Sequence, residues 1–360
     1  MAVDALWMTR GTLLTPSRVF GGALCIARGR IAAIRARPPR GAKTIDAHDC
    51  YVAPGFVDLH IWGKPDVLSR ELVRSGTTAF LTTLGPEPEA QFARDIARRA
   101  TMFQTDGAQC LGFHLEGPFV NPARGGALPK RWMRAPTASA LNQLWRASDE
   151  RIRLMTIAPE LPGARAAIAW CRKHRVTASL GHSDADAAIA TQAIGAGATA
   201  VTHVFNGMRP FHHRQPSLVD VALTDSRLTA MAILDGVHIS PSAFRLLVKV
   251  KGIERVALVT DAIRHAGWDV VKRGGAWYRR DGTLAGSALT MMQAVRNAVT
   301  MGGVTLSEAV RMATEVPARL LGDRARGALA LGRRADLVIF DRQFHVQMTI
   351  VNGRIVYQRG

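Results

Sequence analysis

The stretch VTASLGHSDADAAIATQAIGAGATAVTHVFNGM, Val176 to Met208, decides the fold. Val176–Leu180 is a short apolar run that stops at Gly181-His182. Ser183-Asp184 has the chemistry of a helix N-cap, and the Ala-rich run Ala185–Ile194 reads as a helix closed by Gly195 and Gly197. A second apolar run, Ala198–Val201, ends at Thr202-His203. Strand, helix and strand within about thirty residues make a unit whose crossover leaves the two strands parallel. A helix of about 12 residues rises roughly 18 Å, close to the length of a six-residue strand at roughly 3.3 Å per residue. The chain therefore returns to its starting level, with His182 and His203 at the carboxyl ends of parallel strands. Neighbouring strands lie roughly 5 Å apart, so two imidazoles placed this way can share one metal ion.

The same alternation extends in both directions. Apolar runs recur at Gly55–His60, Thr77–Leu84, Gln109–Glu116, Arg153–Glu160, Val176–His182, Ala198–Phe205, Arg227–Gly236 and Val256–Ala262. Helix-like segments separate nearly all of them, including Glu87–Gln104, Thr137–Ser148, Pro162–His174, Asp184–Ile194 and Ser240–Val250. Strands and helices alternating over about 200 residues predict an α/β protein built on a (β/α)8 TIM barrel, spanning 53–327. Two further helical runs, Leu289–Thr300 and Leu306–Leu321, follow. A doubly wound open sheet is the competing fold, and the lack of G-x-G-x-x-G after the first strand weakens its dinucleotide-binding form. Residues 1–52 instead alternate short β-like runs with turns at Gly11, Gly21-Gly22, Gly29 and Pro38-Pro39. The pattern returns over 328–360 in Ala335–Phe340, Val346–Val351 and Arg354–Tyr357, with Asn352-Gly353 as a hairpin turn. Both ends together predict one small β-sandwich domain.

Composition narrows the function classes. A chain of 360 residues with 48% hydrophobic and 21% charged residues has the balance of an ordinary globular protein. No apolar run reaches membrane length, and Asp4 and Arg10 interrupt any leader within Met1–Arg10, which predicts a cytoplasmic protein without a membrane partner. Cys25, Cys50, Cys110 and Cys171 have no CxxC spacing, so neither a zinc knuckle nor a disulfide framework is indicated. The formal charge of +19 would suit nucleic acid, but the cations are dispersed and dominated by Arg, with seven Lys and no basic block interleaved with aromatics. An anionic small substrate accounts for the charge equally well.

Barrel chemistry takes place at the carboxyl ends of strands. Those ends carry His60, Glu116, His182, His203 and Asp261. A lone strand-end His is ordinarily capped or solvated, and Glu116 beside Gly-Pro could be a turn residue. Four metal-type residues, His60, Glu116, His182 and His203, at strand ends of one barrel are another matter. Glu116, His182 and His203 form a two-His, one-carboxylate set that leaves a coordination position for water. A divalent metal lowers the pKa of such a water to about 7, and Asp261 is placed to take its proton and pass it to a leaving group. His114, two residues before Glu116, faces the same side but deeper, as an interior hydrogen-bonded His.

These residues resemble the amidohydrolase superfamily and, within it, the N-acetylglucosamine-6-phosphate deacetylase family. The resemblance runs along nearly the whole chain. It is carried by Pro54-Gly55-Phe56-Val57-Asp58-Leu59-His60, His114-Leu115-Glu116-Gly117-Pro118-Phe119, Gly181-His182-Ser183, Thr202-His203-Val204-Phe205-Asn206-Gly207-Met208, Thr260-Asp261-Ala262 and Gly282-Thr283-Leu284-Ala285-Gly286-Ser287. The resemblance implies that Glu116, His182 and His203 hold one divalent metal, zinc first and Fe, Mn, Co or Ni as the other candidates, with Asp261 as catalytic acid/base. It implies that His238 polarises the acyl carbonyl, that Arg214 and the amides of Asn206-Gly207 meet a phosphate, and that Ala127, Leu128 and the Leu284-Ala285-Gly286 turn face the substrate. His60 and His213 are accessory candidates. The implied reaction is removal of acetate from an N-acetylated amino-sugar phosphate, N-acetylglucosamine 6-phosphate first, by a homodimer.

Four departures lie on the substrate side. His60-Ile61-Trp62 replaces the superfamily's usual His-x-His, and Trp cannot ligate, so one metal is expected rather than two. Gly63-Lys64-Pro65 shortens the loop that follows, and Leu128 stands where a polar residue is expected. Gln215-Pro216-Ser217 replaces the more usual Glu-Pro-Gly. A deacetylase for another acylated compound, or a silent barrel that only binds sugar phosphate, are the alternatives; an intact Asp261 argues against the second.

Overall fold

The computed structural model describes residues 5–103, 106–264 and 267–360, so Met1–Asp4 of the leader reading and Gln104 of the second helix lie outside it. Seven strands run parallel in sequence order, each paired with the one before: Phe56–Trp62, Thr77–Leu84, Gln109–Glu116, Ile152–Ile157, Thr177–Leu180, Ala200–Val201 and Thr229–Ala232. The eighth is split. Val256–Leu258 pairs with the seventh strand, while Ala262–Ile263 pairs with the first through Ala262–Ile61 and Ile263–Trp62. Between the halves, Val259 N–H donates to the Ala232 carbonyl at 3.1 Å and Asp261 N–H to the His60 carbonyl at 2.8 Å, so the ring closes. Closure excludes the doubly wound sheet.

Crossover helices pack outside, and their ends follow local chemistry. Thr137 accepts from the Ala140 N–H, Ser240 from the Ala243 N–H, and Thr290 with Gln293 forms a capping box at Met291–Thr300. Two expectations need correction. The helix after His182 spans Ala187–Ala196 and is capped by Asp186, whose carboxylate accepts from the Ile189 N–H. Ser183 and Asp184 are otherwise engaged: the Ser183 hydroxyl and the Asp184 N–H both donate to the Glu160 carboxylate, at 2.8 and 2.6 Å. The run Leu306–Leu321 is two helices, Leu306–Ala313 and Glu315–Leu320, because Thr314 leaves helical geometry at φ −133°. Leu218–Thr224, closed by a Ser217/Asp220 capping box, is a crossover helix the sequence reading did not include.

Phe113, Met155 and Leu180 alternate along their strands with His114, Thr156 and Ser179, so their fully buried side chains face the surrounding helices and build the main apolar core there. A polar layer sits beneath the strand ends. His114 Nε2 lies 2.8 Å from Thr156 Oγ1, which bonds Thr202 Oγ1 at 2.8 Å, and Ser179 Oγ joins at 2.6 Å. His114 is thus the interior hydrogen-bonded residue anticipated.

The chain ends form one eight-stranded sheet. Its first strand, Leu6–Leu14, runs through Gly11, where the sequence predicts a turn, with a register shift between Met8 and Gly11. The near half pairs with Lys43–Asp46 and the far half with Cys50–Pro54. The sheet therefore forks and curls around a core of its own, with Met8, Leu24, Val52, Leu337 and Ile350 buried together. Cys50–Pro54 also pairs antiparallel with Leu337–Asp341, which joins the two ends of the chain. Asn352 and Gly353 turn the final hairpin at φ +50° and +79°, the left-handed pair such a turn requires.

Candidate active site

The strand ends converge as the sequence implies. Glu116 Oε1 lies 3.0 Å from His182 Nε2 and 2.7 Å from His203 Nε2, and the two imidazole nitrogens are 3.2 Å apart. Glu116 Oε2 is 3.0 Å from His60 Nε2, which is 3.1 Å from Asp261 Oδ1. Trp62 donates its indole N–H to the same Oδ1 at 2.9 Å. All six side chains are buried.

The cluster fits a cation. His182 Nδ1 is 2.8 Å from the Arg124 carbonyl, an acceptor only, so Nδ1 carries the proton and Nε2 of the neutral ring presents a lone pair. That lone pair faces a carboxylate oxygen and a second imidazole nitrogen. A cation placed among these atoms would satisfy the His182 lone pair, and two His with one carboxylate is a zinc-type donor set. Arg124 is itself fixed, since its guanidinium pairs with Asp184, which also receives Arg209 at 2.8 Å. Gly207 lies close above, where an added Cβ would stand 2.8 Å from His182 Nδ1.

Burial raises the pKa of Asp261, and the Glu116 charge adds to the effect against the opposing pull of His60. Burial would raise Glu116 too, but His60, His182 and His203 hold it well below the usual carboxylate range. Burial disfavours charge on His60, yet the Glu116 and Asp261 carboxylates lift it to about 9. Backbone strain concentrates here: His182, His203, Phe205 and Asp261 have φ of +46°, +27°, +79° and +48°. Residues held this way cost of order 1–3 kcal/mol each and gather at functional sites.

A cavity of about 270 Å³ opens above the cluster, lined by Glu116, His182, His203 and Asp261 together with Ala127, Leu128, Asn206, Gly207, His238, Leu284 and Ala285. Trp62 and Trp268 form an aromatic wall, with ring centroids 4.6 Å apart. A larger cavity of about 610 Å³ at the junction with the terminal domain includes neither Glu116, His182 nor His203, so chemistry and not size selects the site.

Other sequence candidates are not brought to the cavity. His60 is fully buried beneath it, and Gly286 packs behind Asp261. Arg214 is exposed, its Nη1 3.1 Å from His213 Nε2, and neither residue lines the cavity. Sequence reading assigned no role to Asp58, Asp235 or Trp268. Asp58 accepts from the Thr260 hydroxyl at 2.6 Å and from the N–H groups of His60 and Thr260 at 3.2 Å each. Asp235 accepts from His238 Nδ1 at 2.6 Å, and its position three residues before His238 was a readable signal. Trp268 carried none, because it arrives with the hairpin Val270–Arg273, Ala276–Arg279.

Comparison with known proteins agrees with this geometry. The amidohydrolase family matches residues 51–356. The chain is 32% identical to N-acetylglucosamine-6-phosphate deacetylase of Bacillus subtilis (strain 168), over 93% of each protein. It is 36% identical to N-acetylgalactosamine-6-phosphate deacetylase of Escherichia coli O157:H7, over 92% of this chain and 94% of that protein. Among solved structures, a mutant of the N-acetyl-D-glucosamine-6-phosphate deacetylase of Mycobacterium smegmatis, in complex with N-acetyl-D-glucosamine-6-phosphate, superposes with a TM-score of 0.91 at 35% identity, covering 98% of this chain and all of that one.

Proposed function

Since the chain belongs to the amidohydrolase family, we propose that it is a metal-dependent deacetylase of N-acetylated amino-sugar phosphates, converting N-acetylglucosamine 6-phosphate to glucosamine 6-phosphate and acetate. The observation that carries this reading is the convergence of Glu116, His182 and His203 on one point, with Asp261 on the same cavity wall. The proposed catalytic unit is the barrel, 53–327, with 1–52 and 328–360 as the terminal domain.

Glu116, His182 and His203 would hold one divalent cation, zinc in the first instance. Bound there, it supplies Lewis-acid charge and lowers the pKa of water to about 7. The protein's own groups do the rest. Asp261 is held at Oδ1 by Trp62 and His60, which leaves Oδ2 to take a proton from the attacking water. The same carboxyl then delivers that proton to the amide nitrogen as the C–N bond breaks, so water is divided between acetate and amine. A raised pKa suits a carboxylate that must both accept and return a proton. His238, anchored through Nδ1 to Asp235, turns Nε2 to the cavity and the acyl oxygen. Asn206, Gly207, Leu284 and Ala285 position the sugar. Arg214 stays a candidate for the phosphate through the family resemblance, although it stands outside the cavity of a single chain. A homodimer is the assembly that resemblance implies, and a cytoplasmic location is the one we propose for an enzyme of sugar phosphates.

The test is acetate release from a panel of N-acetyl sugars and their 6-phosphates, including both C4 epimers, with metal content measured on the same preparation. The 36% identity to a galactosamine-type relative makes that epimer the second candidate. No acetate from any member of the panel would end the deacetylase reading.

A further inference from the structure

Loops from four successive strands meet around His182. After the third strand, Asn121 gives its backbone N–H to the His182 carbonyl at 3.0 Å, and Arg124 supplies the carbonyl that faces His182 Nδ1. After the sixth strand, the Gly207 carbonyl accepts the Ser183 N–H at 2.9 Å, and the Arg209 N–H donates to the Ser183 carbonyl at 3.2 Å. Two carboxylates outside the ligand set draw these loops together. Glu160, after the fourth strand, accepts from the Asn121 side-chain amide and the Ser183 hydroxyl at 2.8 Å each, and from the Asp184 N–H at 2.6 Å. Asp184, after the fifth strand, receives Arg124 Nε at Oδ1 and Arg209 Nη2 at Oδ2, both at 2.8 Å.

We infer that Asp184 is a positioning residue that sets the ring of His182 and the wall of the cavity as one unit, so that holding the metal and ordering the wall are coupled. The inference rests on reading Glu116, His182 and His203 as a cation site, whatever the sugar. It turns on Arg124, whose two ends do different work. The carbonyl fixes the proton of His182 on Nδ1 and so the direction of Nε2, while the guanidinium answers to Asp184. Gly126, Ala127 and Leu128 follow within four residues and line the cavity, as do Asn206 and Gly207 just ahead of Arg209. A displaced Arg124 therefore turns the ligand ring and moves the wall together. His182 is held at φ +46°, a conformation that persists only where the surroundings impose it. Arg209 and Arg124 hold the Asp184 carboxyl down at about 2, so the charge that gathers them is present at any working pH. The Asp184 side chain is 35% exposed, and ion pairs this open contribute little to global stability. Their effect falls on orientation. Coupling of this kind is reciprocal, so metal must order the wall as the ordered wall favours metal.

The experiment measures zinc affinity by competition with a fluorescent chelator, and amide hydrogen exchange over 121–128 with and without zinc. The full-length chain is compared as wild type, Asp184→Asn, Arg124→Gln and the double variant. Asp184→Asn keeps the shape of the side chain and removes the charge that gathers the two guanidinium groups. It should weaken zinc binding roughly 10- to 100-fold, with the urea midpoint of the metal-free protein unmoved. Arg124→Gln should weaken it in the same direction, and the double variant should be no weaker than the worse single one, because both changes break one link. Zinc should slow exchange over 121–128 in wild type, and slow it much less in Asp184→Asn at saturating metal. Variants that hold zinc as wild type does overturn the inference. So do additive losses in the double variant, equal zinc protection of 121–128 in wild type and Asp184→Asn, or a loss of affinity matched by an equal loss of stability in the metal-free protein. Wild-type protein that takes up no zinc, nor any other divalent ion, would instead defeat the cation-site reading itself. Acetate release enters none of these measurements, so the identity of the substrate is decided separately.

Discussion

Replacing Asp58 with Asn should make the metal-free protein more stable at neutral pH, an unusual outcome for a fully buried residue in a hydrogen-bonded network. Burial lifts the Asp58 carboxyl from its ordinary 3.8 to about 6, against the opposing pull of the Thr260 hydroxyl and two backbone N–H groups. The folded protein therefore binds more protons than the unfolded chain between pH 3.8 and about 6. Stability must fall as pH rises through that window and level off above it. The gap corresponds to about 3 kcal/mol at pH 7. Asn keeps one oxygen for the N–H groups of His60 and Thr260, which both reach Oδ1. Its amide can donate to Thr260 Oγ1, whose own proton can turn to the His60 carbonyl at 3.3 Å. Urea unfolding of chelator-treated wild type and Asp58→Asn at half-unit steps from pH 4 to 7.5 measures the difference. The two curves should lie close together near pH 4, after which the variant gains up to about 3 kcal/mol by pH 7. Curves that stay parallel across the range, or a variant less stable at pH 7 than at pH 4 relative to wild type, would refute the reasoning.

Three further outcomes concern the site. Asp261→Asn should lose roughly 10²–10⁴ in kcat while metal content stays near wild type, because the amide cannot accept the proton; unchanged kcat would remove Asp261 from the mechanism. Protein purified without added metal should carry one equivalent by elemental analysis, and Glu116→Gln should lose both metal and turnover; two tightly held equivalents would show that Trp62 does not exclude a second ion. Gly207→Ala should weaken metal affinity roughly 10- to 100-fold, since the new methyl would press on His182 Nδ1 where it donates to Arg124, at a backbone φ of +63°; competition with a fluorescent chelator reads this directly.

Much of the site was legible because barrel strands announce their own ends. Short apolar runs stop where polar side chains begin, and reading those stops located Glu116, His182, His203 and Asp261 without knowledge of the packing. Local rules failed where several residues competed for one role. Ser183, Asp184 and Asp186 are all good N-caps, and only Glu160, which engages the first two, leaves the cap to Asp186. The bond between Trp62 and Asp261 spans 199 residues and exists because the eighth strand closes on the first. Arg214 shows the limit of position as a guide: it follows the sixth strand, but its loop turns the side chain to solvent. Trp268 was invisible as a site residue because a hairpin outside the repeating pattern brings it over the cavity.

The sheet shared by the two ends of the chain sets a timetable for synthesis. Cys50–Pro54 leaves the ribosome roughly 280 residues ahead of Leu337–Asp341, the strand that covers one of its edges. At about 5–20 residues per second, that edge waits on the order of 15 to 60 s for its neighbour. Through this interval Val52 and Ala53, both fully buried in the finished protein, stand beside unpaired backbone groups on a nascent chain. The barrel can close meanwhile, but the terminal sheet is complete only once Arg354–Gln358 has been made. Slow elongation thus lengthens exposure to aggregation at Cys50–Pro54, a site far from the chemistry.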